Sequence, residues 1–203
     1  MNPLPMFPLG TVLFPHVGIP LRIFEDRYRE MTRVCMSTDN EFGVVLIANG
    51  SEVGGGDDRF DIGTIAKIVH AEVEPDGRAR LVAVGTHRFR ILRWVDGALY
   101  AQAEVETFFD ADLACDEDLV ALTKRVRRLL AMRSELGILG PPATIELHDD
   151  PAVRLWQLCA LVPTEPHDDL ALLASPTVAA RIALLTRLLD SVNEESNRIL
   201  SDE

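Results

Sequence analysis

Lysine is nearly absent from this chain: 203 residues contain two, Lys67 and Lys124. A loop that cradles phosphates ends in Gly-Lys-Ser or Gly-Lys-Thr, so that the ammonium reaches the bound anion. Here Lys67 precedes Ile68 and Lys124 precedes Arg125, while the glycine run Gly54-Gly55-Gly56 leads into Asp57-Asp58, which repels a phosphate. A Ser–Lys nucleophilic pair needs its lysine held dry beside an exposed serine. Lys67 falls on the polar side of a strand pattern, and Lys124 shares a helix surface with Arg125, Arg127 and Arg128. Neither position suits catalysis, and the chain is not expected to be an enzyme.

Other scarcities narrow the field further. The three cysteines, Cys35, Cys115 and Cys159, are far apart with no C-x-x-C pair, and read as buried free thiols in a reducing compartment. No stretch approaches the roughly 18 consecutive apolar residues of a membrane span. Proline and glycine interrupt the N-terminus, which lacks the basic and apolar regions of a secretion signal. Cytoplasm is the expected location, with no membrane partner. The five histidines form no H-x-x-x-H or H-E-x-x-H pattern, so neither metal nor cofactor is expected. His148-Asp149-Asp150 and His167-Asp168-Asp169 each stand at an expected helix start, where carboxylates cap free N–H groups and complement the helix dipole. Positive charge is also in deficit. The net charge of −12 divides into −5 for residues 1–110 and −7 for 111–203, and neither half carries the basic footprint of nucleic-acid binding.

What is present is an ordinary globular composition, 47% hydrophobic and 26% charged, whose pattern changes near Asp110. Before it, apolar residues recur with period two; after it, they recur at helical spacing. Phe42 to Ala48 is a continuous apolar run suited to a strand buried on both faces. Residues 49–61 read as a flexible loop. Ile65 to Val73 and Leu81 to Gly85 alternate around the turn residues Pro75-Asp76-Gly77-Arg78, the strongest hairpin signal in the chain. Arg88 to Val95 and Leu99 to Thr107 read as two further strands, and a helix is expected at about 25–38. The second half predicts four helices: one with Leu119, Leu122, Val126 and Leu129 as its stripe and Gly137 beyond its end, one opened by Asp150-Pro151, a short one over 164–174, and one opened by Ser175-Pro176. The expected architecture is α+β, an N-terminal antiparallel barrel-like subdomain over 1–110 with one inserted helix, then a C-terminal four-helix bundle over 111–203.

The most informative segment is Pro5 to Tyr28. Pro5, Pro8, Pro15 and Pro20 fence short apolar runs and must sit at strand starts, edges or bends, because proline lacks a ladder donor. Thr11 to Phe14 and Ile19 to Phe24 read as strands. The order Phe7-Pro8-Leu9, Phe14-Pro15, Ile19-Pro20-Leu21, Phe24-Glu25, Arg27-Tyr28 resembles the opening of the Lon substrate-binding domain. That module is the N-terminal part of ATP-dependent Lon proteases and is also found in stand-alone bacterial proteins and in cereblon. Ile62-Gly63-Thr64, Asp76-Gly77 and Gly85-Thr86-His87-Arg88-Phe89 resemble its middle. The resemblance implies a PUA-like fold and a non-enzymatic module that recognises exposed hydrophobic or unfolded protein segments, or assists a separate protease or chaperone.

Most matching residues have structural readings. Gly63 and Gly77 serve backbone geometry, Phe24, Tyr28 and Phe89 belong to a core, and Glu25, Arg27, Arg88 and Arg90 could pair with one another. Candidate binding residues are Arg22, Phe24, Tyr28, His87, Arg88 and Phe89. Sheet edges near the prolines could accept an extended peptide by strand addition. A second reading is a small-molecule binder or enzyme using a crevice between the subdomains, with His87 and Arg88 reaching in. A third, an RNA-binding barrel, is opposed by the charge balance.

Overall fold

The computed structural model describes residues 3–49 and 58–201. The glycine-rich part of the expected loop, residues 50–57, lies outside the described residues. The chain divides into two compact units, Met1–Phe109 and Asp110–Glu203. Among the described residues the first holds six strands and one helix: β1 (Leu4–Leu9), β2 (Gly18–Ile23), α1 (Asp26–Met36), β3 (Glu41–Asn49), β4 (Asp58–Val73), β5 (Ala79–Val95) and β6 (Gln102–Phe108). The second holds α2 (Asp116–Glu135), α3 (Pro151–Leu161), α4 (Pro166–Ala174) and α5 (Val178–Ser201).

Strand β5 organises the sheet. Its first half, Ala79–Val84, pairs with β2, and its second half, Arg88–Val95, pairs with β6. Strand β4 follows it along most of its length. The pairings then run from β4 to β3, from β3 to β1, and from the start of β1 back to β6, leaving β2 at the outer end of the order. The sheet is mixed rather than antiparallel, because β1 and β3 run in the same direction. The crossover between them contains β2 and α1, which returns the chain to the end from which it started.

Strand positions near the N-terminus also differ from expectation. Thr11 to Phe14 is irregular, and the proline-bearing Leu4–Leu9 is the strand. Alternation explains why proline is tolerated there. The N–H of Met6 donates to Ala101 on the β6 side at 2.8 Å, so Pro8 faces that same side, beyond the two residues, Leu4 and Pro5, that β6 reaches. Pro5 faces β3, whose register begins only at Met6. Each missing donor thus falls where no ladder bond would form.

Two expected strands, Leu81 to Gly85 and Arg88 to Val95, are one continuous β5. A bulge in β5, where the three steps from Gly85 to Arg88 match only two on β4 from Ala66 to Thr64, absorbs the bend, and Gly85 lets the chain at Phe14–Pro15 lie against it. Strand β3 is buried on both faces: Phe42 and Val44 join a cluster with Phe7, Leu21, Tyr28 and Met31, while Val45 joins one with Met6, Phe89 and Ile91. The hairpin at Gly77 forms with φ +84°, a conformation glycine adopts without strain.

In the second unit, Gly137 ends α2 with φ +71°, and Asp150 caps α3 by accepting from the Ala152 N–H at 2.8 Å. The expected Ser175 cap is not used. Ser175 instead donates to Ala171 at the end of α4. The start of α5 is capped by Thr177, which accepts from Ala180, and by Asp112, which accepts from Val178 at 2.7 Å and Ala179 at 3.3 Å. Both Cys35 and Cys159 are buried, which pushes their thiols up to about 12. Cys115, expected to be buried, is exposed before α2, and its thiol donates to Asp118 at 2.9 Å.

One titration in this unit gives a measurable pH dependence. Burial pushes the Asp169 carboxyl up to about 6, against the lowering effect of the Thr164 hydroxyl that donates to it at 2.5 Å. The folded chain therefore keeps a proton that the unfolded chain releases near pH ~4. The contribution of Asp169 to stability falls as pH rises from about 4 to about 6 and is flat above that. Replacing Asp169 with Asn should remove this fall, worth roughly 1 kcal/mol after discounting for partial exposure. Urea midpoints measured across this range check it; an unchanged slope in Asp169→Asn would contradict the assignment.

Candidate functional site: a seam between two strands

Strands β1 and β2 lie on either side of a cleft without pairing with each other. Pro8 and Leu9 of β1 form one wall, Pro20 and Leu21 of β2 the other, with Phe7 and Tyr28 also in the lining. Arg22, Phe24 and Glu25 complete the lining of a volume of about 270 Å³. The seam is open because each wall carries a proline where a donor would be needed. The Gly85 N–H donates to the Val17 carbonyl, so residues 17, 19, 21 and 23 face β5 and Pro20 faces outward. Both walls therefore present proline carbonyls and no proline N–H.

Three of the six sequence candidates meet here: Arg22, Phe24 and Tyr28. Tyr28 is core, its ring edge-on to Phe7 at 4.2 Å. Phe24 is not core. Leu21 and Ile23 point inward, so alternation turns Phe24 out, and it is 57% exposed. The expected Glu25–Arg27 pair forms at 3.0 Å, and the Arg27 guanidinium lies 4.4 Å over the Tyr28 ring. Arg22 makes no ion pair among the described residues, and its register partner on β5 is another cation, Arg80. Arg80 in turn pairs with Glu72 at 3.8 Å.

The other three candidates lie elsewhere. Phe89 is fully buried. Arg88 is 3% exposed with its guanidinium 4.4 Å over the Phe108 ring, and Arg90 approaches the same ring at 5.6 Å. Both guanidinium groups thus lie over one aromatic ring. His87 is exposed and meets Phe109 edge-on at 5.5 Å. Pro8 and Leu9 were not among the candidate residues, although the sheet edges near the prolines were read as able to accept an extended peptide.

Two other concavities differ in character. A groove of about 690 Å³ between α1 and the β4–β5 turn is lined by the ion pairs Arg29–Asp26 and Arg33–Glu30 together with Thr32, Met36, Val73 and Pro75. In the second unit, a recess of about 280 Å³ is lined by Leu130, Ile138, Leu139, Pro141, Pro142 and Leu161 among others. Among the described residues no three or more His, Cys, Asp or Glu side chains converge to hold a metal, and no helix is long and apolar enough to cross a membrane.

The fold and its seam define an α+β domain whose distinguishing feature is an unclosed gap between two strands of a mixed sheet. Comparison with known proteins gives the class a family. The model of the ATP-dependent protease La (LON) substrate-binding domain matches residues 3–191, and the chain belongs to that family. It is 33% identical over 109 residues to a Lon protease of Cytophaga hutchinsonii, covering 53% of this chain and 13% of that protein. It is 26% identical over 196 residues to a Lon protease of Anaeromyxobacter dehalogenans, covering 94% of this chain and 23% of that protein. The chain thus spans less than a quarter of these relatives' length. A crystal structure of a Lon N-terminal domain protein from Xanthomonas campestris superimposes with a TM-score of 0.65 at 29% identity, covering 94% of this chain and 98% of that one.

Proposed function

We propose that the β1–β2 seam captures apolar side chains of exposed or unfolded protein segments, and that the chain acts through binding without transforming what it holds. The observation that carries this reading is Phe24, a large aromatic more than half exposed in the lining of a cleft that also holds Phe7, Leu9 and Leu21. An aromatic so placed supplies contact area at little entropic cost and is the residue type that dominates binding energy. The family description, a substrate-binding domain of a protease, supports the same class of ligand. Delivery of captured segments to a protease or chaperone extends this proposal.

The test is fluorescence anisotropy with labelled, reduced and carboxymethylated α-lactalbumin as the unfolded probe. Phe24→Ala is expected to weaken binding about tenfold, the size of a moderate hot spot. His87→Ala, outside the cleft, should leave it unchanged. Equal affinities for wild type and Phe24→Ala would overturn the assignment.

A further inference from the structure

We infer that the seam holds its ligand as an added β-strand, and that it selects a segment with an acidic residue placed beside Arg22. This rests on the proposed use of the seam and specifies its ligand more closely.

The argument begins with hydrogen bonds. Along the seam, Pro8 and Pro20 contribute carbonyl acceptors while lacking N–H groups, so the centre of the gap is poor in donors. The two strands cannot complete each other there. An extended polypeptide offers N–H donors at every second residue on one edge, which suits the open edge of β2. A helix has few free donors to offer, and an apolar small molecule has none.

Charge supplies the second argument. Across β2, β5 and β4 one row reads Arg22, Arg80, Glu72 in register. Like charges directly opposite on a sheet are unfavourable. Glu72 relieves Arg80 from one side, but Arg22 lies at the outer end and makes no ion pair among the described residues. A strand added outside β2 would place its own residue next to Arg22 on the same face. An Asp or Glu there completes an alternating row, whereas a Lys or Arg makes three cations in sequence. Arg22 and Phe24 lie two residues apart and both point outward. The preferred segment therefore carries an acidic residue and a large apolar residue two positions apart.

Synthetic ten-residue peptides with a central phenylalanine and either aspartate or lysine two positions away form the probe set, with single N-methyl groups scanned along the backbone. Wild type should prefer the aspartate peptide about threefold or more, and Arg22→Glu, an exposed substitution, should reverse the order. N-methylation should weaken binding about three- to tenfold at the alternate amides whose N–H groups face β2. Equal binding of the two peptides, or indifference to N-methylation, while Phe24→Ala still weakens capture of α-lactalbumin, overturns strand addition and leaves the cleft standing. Peptides that fail to bind a protein that still captures α-lactalbumin through Phe24 overturn it equally. Loss of the Phe24 effect itself overturns both.

Discussion

Arg181→Ala should destabilise the helical unit by about 3–5 kcal/mol, the scale for breaking a buried ion pair by removing one partner. Arg181 has no exposed surface. Its guanidinium grips both oxygens of Asp110 at 2.7 and 2.8 Å, donates to the carbonyls of Leu172 at 3.1 Å and Ser175 at 3.4 Å, and lies 3.7 Å over the Trp156 ring. One side chain thus joins the residue that opens this unit, the end of α4, helix α3 and helix α5. Alanine would remove the Arg181 charge from beside Asp110 and the donor it offers to two carbonyls, and would leave a cavity beside Trp156. Urea unfolding followed by Trp fluorescence reads the loss. The double variant Asp110→Asn, Arg181→Met should recover part of it, because both charges of this pair are then removed together. A single-variant loss below about 1 kcal/mol, the range of surface pairs, would contradict this account.

Gly63→Ala is the second large effect, about 3 kcal/mol or more, at the upper end of overpacking costs. A Cβ on Gly63 would stand 2.2 Å from the Val44 carbonyl oxygen, 2.7 Å from the Phe89 ring and 2.8 Å from a Val45 methyl group. The first neighbour is backbone of the paired strand, which cannot turn aside as a flexible side chain can. Relief requires β3 and β4 to separate, opening the core around fully buried Phe89. Gly140, with nothing within 4 Å of a built Cβ, is the control, and Gly140→Ala should be neutral or slightly stabilising. Thermal melts of the pair check the contrast; similar melting temperatures would mean that the close approach at Gly63 is not constraining.

These two residues show which kinds of information were legible in the sequence. Gly63 was read as serving backbone geometry, which is so, but the cause is the approach of a neighbouring strand. Such a constraint depends on a partner some twenty residues away and leaves no local mark. Gly77, by contrast, was readable because its turn is local. Arg181 sits three residues after Val178 on the inward stripe of α5, so periodicity alone marks it as a cation in an apolar position. Its partner Asp110, 71 residues earlier, has no such signature.

Strand assignment failed where non-local pairing outweighed composition. Thr11 to Phe14 has good strand residues yet is irregular, while Leu4–Leu9 contains two prolines and forms β1 because β3 and β6 lie on either side. The parallel β1–β3 pairing was likewise invisible, since period-two alternation is the same in both directions. For the site, the sequence supplied Arg22, Phe24 and Tyr28, grouped by their closeness in the chain. His87, Arg88 and Phe89 were nominated for a shared motif, and β5 carries them away from the seam.

The central claim is that the β1–β2 seam is where this chain engages its ligand. Residue-by-residue NMR of the 15N-labelled protein titrated with unfolded α-lactalbumin tests it most directly. The account predicts progressive shifts confined to Phe7, Leu9, Leu21, Arg22, Phe24 and Tyr28 and their immediate neighbours. Shifts centred instead on Leu130, Ile138 and Leu139 in the helical unit, with the seam silent, would contradict it.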